Sequence, residues 1–192
     1  MSPWSDKSAL EFRLATRLDA DRIAALHADS WRRHYRGAYA DSFLDSDDLI
    51  LDRLSVWRQR LDKPVVEAVA ILAEHDGELI GFAHTMLDDD PTYGALLDNL
   101  HVRDQHKRHG IGSRLLVDSA ATLIERRPGR GLYLWVLEQN VAAQAFYEAC
   151  GGTRVERAMA LAPGGVASQL NGSPAKLRYA WPDPAVLLRH PK

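Results

Sequence analysis

Lys107-Arg108-His109-Gly110-Ile111-Gly112-Ser113-Arg114 combines cations and glycines at a point where a strand should turn into a helix. An apolar run ending Asn99-Leu100-His101-Val102 precedes it, and a helical run from Leu115 to Ile124 follows. Glycine lets the backbone turn tightly and approach a ligand closely. The first amides of a helix have no partner within the helix and carry the positive end of its dipole, so they suit phosphate oxygens. Lys107, Arg108 and Arg114, with His106 and His109 nearby, add charge around that point. The chemistry implied is a cradle for a pyrophosphate. A solvated basic helix start accounts for the same residues, and the loop by itself does not decide between the two. Other phosphate motifs fit poorly. A Walker loop needs Gly-Lys-Ser/Thr, and the third glycine of a dinucleotide fingerprint would fall on Leu115.

A second constellation is Asn140 and Tyr147, seven residues and therefore two helical turns apart, on one face with Ala143 and Gln144. A third is the strand Ala95 to Val102, which carries Asp98 and His101 with His84 on the strand before. Strict alternation puts Asp98 with Leu100 and Val102, and His101 with Asn99, so only a bulge brings Asp98 and His101 to one side. Asp88-Asp89-Asp90 could attract an amine, although acidic runs in loops are usually just solvated. His106 and His109 have a two-histidine metal spacing without an evident third ligand, so no metal is expected.

The chain must hold these groups on a soluble frame. Its 192 residues suffice for one domain, 1–192, with a sizeable core. A hydrophobic content of 46% and a charged content of 26% are ordinary for a globular protein. The net charge of -2 argues against a broad nucleic-acid-binding surface. Cys150 is the only cysteine, so no intrachain disulfide forms. No apolar stretch is long enough for a bilayer, and Met1 to Asp6 lacks a signal peptide's apolar core. These features lead us to expect a cytoplasmic protein that meets neither membrane nor nucleic acid.

Leu10 to Leu14 alternates like a half-buried strand. Thr16-Arg17-Leu18-Asp19 has the form of a capping box opening a helix with Ile23, Leu26, Ser30 and Trp31 on one side, stopped by Gly37. Ile50, Leu54, Trp57 and Leu61 predict a second helix from about Asp47, ended by Lys63-Pro64. Val66 to Glu74 and Glu78 to Met86 read as a hairpin around His75-Asp76-Gly77. The apolar run Leu132 to Leu137 suggests a strand covered on both faces. Helices should fill the basic-loop segment to about Arg127 and the segment from Asn140 to Cys150, with strands from Thr153 to Ala160 and from Ala175 to Trp181. The expected class is α/β (α+β), a mixed, mostly antiparallel sheet of about seven strands flanked by four helices.

Asn99-Leu100-His101-Val102, the Lys107-to-Gly112 loop, and Trp135-Val136-Leu137-Glu138-Gln139-Asn140 leading into Phe146-Tyr147-Glu148 together resemble the GNAT superfamily of acetyl-CoA-dependent N-acetyltransferases. Lys107 stands where the family has Arg or Gln, while Gly110 and Gly112 match. The segment His27 to Gly37 resembles one uncharacterised bacterial branch. The resemblance implies the GNAT fold, with acetyl-CoA (coenzyme A) as cosubstrate. Leu100, His101 and Val102 would meet its pantetheine arm. Lys107, Arg108, His109, Gly110, Ile111, Gly112, Ser113 and Arg114 would surround its pyrophosphate, and Asn140, Ala143 and Tyr147 would touch it from the helix.

Tyr147 would act as general acid toward the departing thiolate, and Asp98, directly or through water, as base toward the amine. The family's usual glutamate on this strand is absent. Trp31, Tyr35, Tyr39 and His84, with His34 nearby, are candidates for the acceptor side. A small molecule or a peptide amine would be the acceptor, and a homodimer through C-terminal strands, here Ala175 to Trp181, would match many relatives. Two other functions remain open on the residues: a silent module that binds CoA or an acyl-CoA, and a protein N-terminal or lysine acetyltransferase.

Overall fold

The computed structural model describes residues 10–62 and 67–189. The Lys63-Pro64 stop, the hairpin start at Val66 and the Met1-to-Asp6 segment lie outside them. One seven-stranded sheet runs in the order β1-β2-β3-β4-β5-β7-β6, formed by Leu10–Leu14, Ala68–His75, Glu78–Asp90, Gly94–Val102, Leu132–Leu137, Thr153–Met159 and Ala175–Trp181, numbered along the chain. All neighbouring pairs are antiparallel except β4 with β5.

The helices are α1 (Ala20–His34), α2 (Asp41–Leu44), α3 (Asp48–Asp62), α4 (Ile111–Arg126) and α5 (Val141–Ala149). The four-residue α2 is additional to the four helices expected. A 3-10 turn, Pro184–Arg189, also follows β7, where periodicity carried no signal.

The chain enters α1 through the expected capping box, in which the Thr16 amide donates to Asp19 Oδ2 at 2.8 Å. Arg13 from β1 grips the same carboxylate at 2.7 Å and Glu74 of β2 at 2.7 Å, while Arg22 of α1 reaches Glu74 at 2.5 Å. These pairs lock β1, α1 and β2 together.

The apolar run of β2 divides between two layers. Ala70 and Leu72 face α1 and α3, packing with Ile23, Leu26, Trp57 and Phe82. Val69, Ile71 and Ala73 face α4, packing with Leu115, Leu116 and Leu123. Each large apolar side chain fully buried in this way contributes about 1.5–3 kcal/mol. On α3 the buried stripe is Leu49, Arg53 and Trp57, and Ile50, expected inside, is 37% exposed. The stripe is shifted because Arg53 lays its guanidinium over the Trp31 ring, 4.1 Å from its centre, and so supplies an inward position with a charged group.

β3 continues past the expected Met86 to Asp90, so the acidic run Asp88-Asp89-Asp90, expected in a loop, is strand. Asp88 pairs with Arg130 at 2.6 Å, Asp89 accepts from Tyr133, and Asp90 pairs with Arg178 at 3.3 Å. These carboxylates fasten β3 to β5 and β7 and are not a free attractor for an amine. Among the described residues no helix is long and apolar enough to cross a membrane.

Candidate active site

β4 and β5 are hydrogen-bonded as parallel neighbours only at Ala95 with Leu132 and Leu96 with Tyr133. Beyond these pairs the strands part, and a cleft of about 890 Å³ opens between them. Its walls are β4 from Leu97 to Val102, β5 from Leu134 to Leu137, the basic loop, Ser30, His34 and Tyr35 of the α1 end, and Asn140 to Tyr147 of α5. That volume suits a small-molecule site.

On β4 the pairing with β3 shifts register. His84 opposes Asn99 and Thr85 opposes Leu97, so Asp98 is the extra residue of a bulge. Ala95 and Leu97 pack toward α4 before it, and Leu100 and Val102 do so after it. Asp98, Asn99 and His101 therefore share the side facing α1 and α3. Strict alternation would have parted Asp98 from His101, and the bulge reunites them.

The Asp98 carboxylate accepts from Asn99 Nδ2 at 2.6 Å, pairs with Arg60 at 2.5 Å and lies 3.8 Å from His84 Nδ1. Burial pushes this carboxyl up, but His84 and the Arg60 guanidinium outweigh it and hold Asp98 below the usual carboxylate range. His101 Nδ1 lies 2.7 Å from Ser30 Oγ. Burial drives its imidazole down to about 3, so it is neutral in the physiological range.

Across the cleft, Asn140 caps α5 by accepting from the Ala143 amide at 3.2 Å. Tyr147, two turns on, is 8% exposed and packs against Tyr179 and Trp181, with burial raising its phenol above the ordinary value. Tyr35 stacks on Trp31 with ring centres 5.1 Å apart, and its phenol is likewise raised by burial and by neighbouring Tyr39, Tyr147 and Asp98.

The basic loop reaches α4 through two left-handed residues, Arg108 at φ 64° and Gly110 at φ 79°. For a non-glycine such as Arg108 this conformation costs about 1–2 kcal/mol, and such outliers gather at sites that hold ligands. No side chain caps the first turn of α4. A Cβ on Gly112 would stand 3.6 Å from Phe146 and 3.8 Å from Val102, filling the gap between α4 and α5 without a clash.

The cleft thus gathers Asp98, Leu100, His101, Val102, Lys107, Arg108, His109, Gly110, Gly112, Ser113, Asn140, Ala143, Tyr147 and Tyr35. Five expected site residues do not line it. Ile111 is buried in the core beneath α4. Arg114 turns outward to Asp118 at 2.8 Å and over the Phe12 ring. Trp31 and Tyr39 are packed among Phe43, Leu44 and Leu137, behind Tyr35. His84 is buried behind Asp98 against Trp57, with ring centres 5.4 Å apart. His34, considered for the acceptor side, turns instead to the basic loop, 2.8 Å from Lys107 Nζ. Ser30, Asn99, Phe146 and the inner edge of β5 line the cleft without having been singled out. Ser30 and His34 are four apart on one helix face, a signal readable only once α1 is known to lie against β4.

Residues 22–152 match the acetyltransferase (GNAT) family. The chain belongs to that family. A probable N-acetyltransferase of Mycobacterium tuberculosis is 28% identical over 149 residues, covering 73% of this GNAT chain and 78% of the relative. The PaiA N-acetyltransferase of Thermoplasma acidophilum, solved with coenzyme A, superposes with a TM-score of 0.69 at 19% identity, over 90% of this chain and 99% of that one. A putative acetyltransferase of Salmonella typhimurium, solved with acetyl-CoA, gives 0.63 at 17% identity, over 90% of this chain and 93% of that one. These two share the GNAT fold with the present chain.

Proposed function

We propose that this chain, acting as one domain, transfers the acetyl group of acetyl-CoA to a primary amine by direct attack in a ternary complex. The observation that carries the reading is the parting of β4 from β5 beside an uncapped, basic start of α4. The cosubstrate contributes a thioester carbonyl open to an amine. Backbone groups of Leu100, His101 and Val102 serve its two amides, as a missing neighbouring strand would. The amides after Gly110, with Lys107, Arg108 and His109, hold its pyrophosphate. Asn140, whose side-chain oxygen is already used by Ala143, has its amide nitrogen left to offer.

Asp98 stays ionised at neutral pH and takes a proton from the amine, directly or through one water. Tyr147 stays protonated because it is buried, and supplies a proton to the leaving sulfur. Tyr35 meets the acceptor, while Trp31 and Tyr39 fix the tyrosine ring from behind. The reading assigns the enzyme to the cytoplasm, which suits its lone cysteine; Ala175–Trp181, the strand expected to pair two chains, lies between β5 and β6, so the pairing falls to the edge strand β6.

A second reading, a module that binds CoA without transfer, draws on the Asp98–Arg60 pair, which lowers the basicity of the only carboxylate on β4 near the cleft. The test is thiol release from acetyl-CoA with a panel of small amines and peptides. Release with any amine supports the enzyme, and the better acceptor set separates small-molecule from peptide transfer. CoA binding without release across the panel supports the module.

A further inference from the structure

His101 of β4 is held on one side and open on the other. Its Nδ1 lies 2.7 Å from Ser30 Oγ of α1, and the rings of His27 and Phe82 flank it with centres 4.8 Å and 5.2 Å away. The direction of the Ser30 bond fixes where the imidazole keeps its own hydrogen. On α4 the hydroxyls of Ser119 and Thr122 turn back to the carbonyls four residues earlier, at 2.8 Å and 2.9 Å. Ser30 gives no such bond among the described residues, so its hydrogen goes to His101 Nδ1. An uncharged imidazole that accepts at Nδ1 carries its hydrogen on Nε2. Nε2 has no hydrogen-bond partner among the described residues, and His101 lines the cleft. The ring presents one N–H donor to whatever enters.

A second uncharged donor stands near it. Tyr35 lines the same cleft, with Trp31 and Tyr39 at 5.1 Å and 5.0 Å between ring centres, and burial keeps its phenol protonated. The bulge turns Asp98, the proposed base, to the same side as His101. The cations of this side are already engaged. Arg60 is paired with Asp98, Arg53 lies over Trp31 and bonds to Asp52, and neither lines the cleft. A carboxylate brought from water to uncharged donors beside an ionised Asp98 is poorly compensated, whereas a carbonyl oxygen needs only such donors.

We infer that the acceptor is an amine whose neighbouring carbon bears an uncharged carbonyl, an α-amino amide such as a peptide N terminus, and that His101 Nε2–H receives the carbonyl oxygen while Asp98 meets the amine. Resting on the acetyl-transfer reading above, this names the acceptor class that reading leaves open. The Tyr35 hydroxyl offers the same oxygen a second donor. Ser30 is a positioning residue: it acts through His101, holding the ring in the donating tautomer. A lysine side chain or a simple alkylamine has no oxygen at that place and leaves Nε2–H unpaired.

The test is thiol release from acetyl-CoA with glycinamide, its oxygen-free isostere isobutylamine, glycine and triglycine amide, in the wild type, His101→Leu and Ser30→Ala. Each protein is read by its own ratios of kcat/KM, which do not depend on how much of a variant is folded. Both substitutions should lower the glycinamide-to-isobutylamine ratio about three- to tenfold. Comparing that ratio between proteins cancels the difference in basicity between the two amines. Glycine should be a poorer acceptor than glycinamide. A higher kcat/KM for triglycine amide than for glycinamide assigns the class to peptide N termini, and the reverse assigns it to free amino-acid amides. A ratio unmoved in either variant, or glycine preferred to glycinamide, would overturn the inference while acetyl transfer stands. An equal fall for every amine leaves the ratio unmoved and so overturns it too, placing His101 on the thioester oxygen. Absence of release with every amine in the wild type would overturn the acetyl-transfer reading instead.

Discussion

Asp98 of β4 and Arg60 of α3 meet at 2.5 Å in the wall of the cleft, with Asp98 carried there by a bulge. The pair sets the proton affinity of the proposed base. Burial alone would raise the carboxyl; Arg60 and His84 bring it below its ordinary range. Removing Arg60 therefore raises it. For Arg60→Gln, the acid limb of the kcat/KM profile should move to higher pH, since the carboxylate form then persists only at higher pH. Asp98→Asn should lower kcat by about 10²–10⁴-fold, the usual weight of a general base. An acid limb that stays in place in Arg60→Gln would remove Asp98 from that role.

Tyr147 is buried and neutral, seven residues after the α5 cap. Tyr147→Phe keeps the ring among Tyr179 and Trp181 and removes only the hydroxyl that would give the proton. Turnover should fall about 10²-fold or more, with CoA affinity unchanged. Steady-state kinetics beside calorimetric binding make the check. An unchanged kcat dismisses the acid role.

The difference between what the residues declared and what they concealed follows from how local each cause is. The capping box at Thr16 and Asp19 and the covered strand Leu132–Leu137 are written within a few neighbouring side chains, and they stand where expected, whereas α1 ends at His34, short of the stop expected at Gly37, whose left-handed backbone belongs to the turn beyond. The bulge at Asp98 has no local signature: it is a count of residues on β4 against β3, visible only when the two strands are paired. The partners of Asp88, Asp89 and Asp90 lie over forty residues away in sequence on β5 and β7 or their approach, so the run looked solvated. The position of His34 needed the end of α1 to meet Asp104 and Lys107 in the segment after β4, which no periodicity encodes. Of the cleft's lining, the basic loop and the α5 face were legible. The α1 side was not, because Trp31 and Tyr39 support Tyr35 from behind and look alike as letters.

Stability should carry a clear acid signature at the β1–α1 corner. Asp19 is 3% exposed and held far below the ordinary carboxylate range, first by the Arg13 hydrogen bonds and also by the Thr16 amide and hydroxyl, against burial. A carboxyl with a depressed folded value contributes stability that is full above its unfolded value, near 3.9, and is lost as pH falls through the folded one. Asp19→Ala should cost about 2–4 kcal/mol near neutral pH, because it removes a cap and leaves Arg13 half-paired. Urea denaturation should find the gap between variant and wild type closing steadily below about pH 4. A gap constant with pH would mean that packing, not charge, holds this corner.

Gly112 separates the cost of folding from the cost of binding. Its backbone is ordinary helix, unlike left-handed Gly110, so a side chain there meets no strain. An alanine Cβ would rest at normal contact distance from Phe146 and Val102. Gly112→Ala should leave the melting temperature unchanged or slightly raised, since alanine favours a helix over glycine by up to about 1 kcal/mol. The same methyl intrudes where the proposed pyrophosphate must approach the backbone, so CoA binding should weaken about tenfold or more. Thermal melting and calorimetry on one preparation read both effects. CoA bound as tightly as by the wild type would mean that the pyrophosphate lies elsewhere than over the first turn of α4.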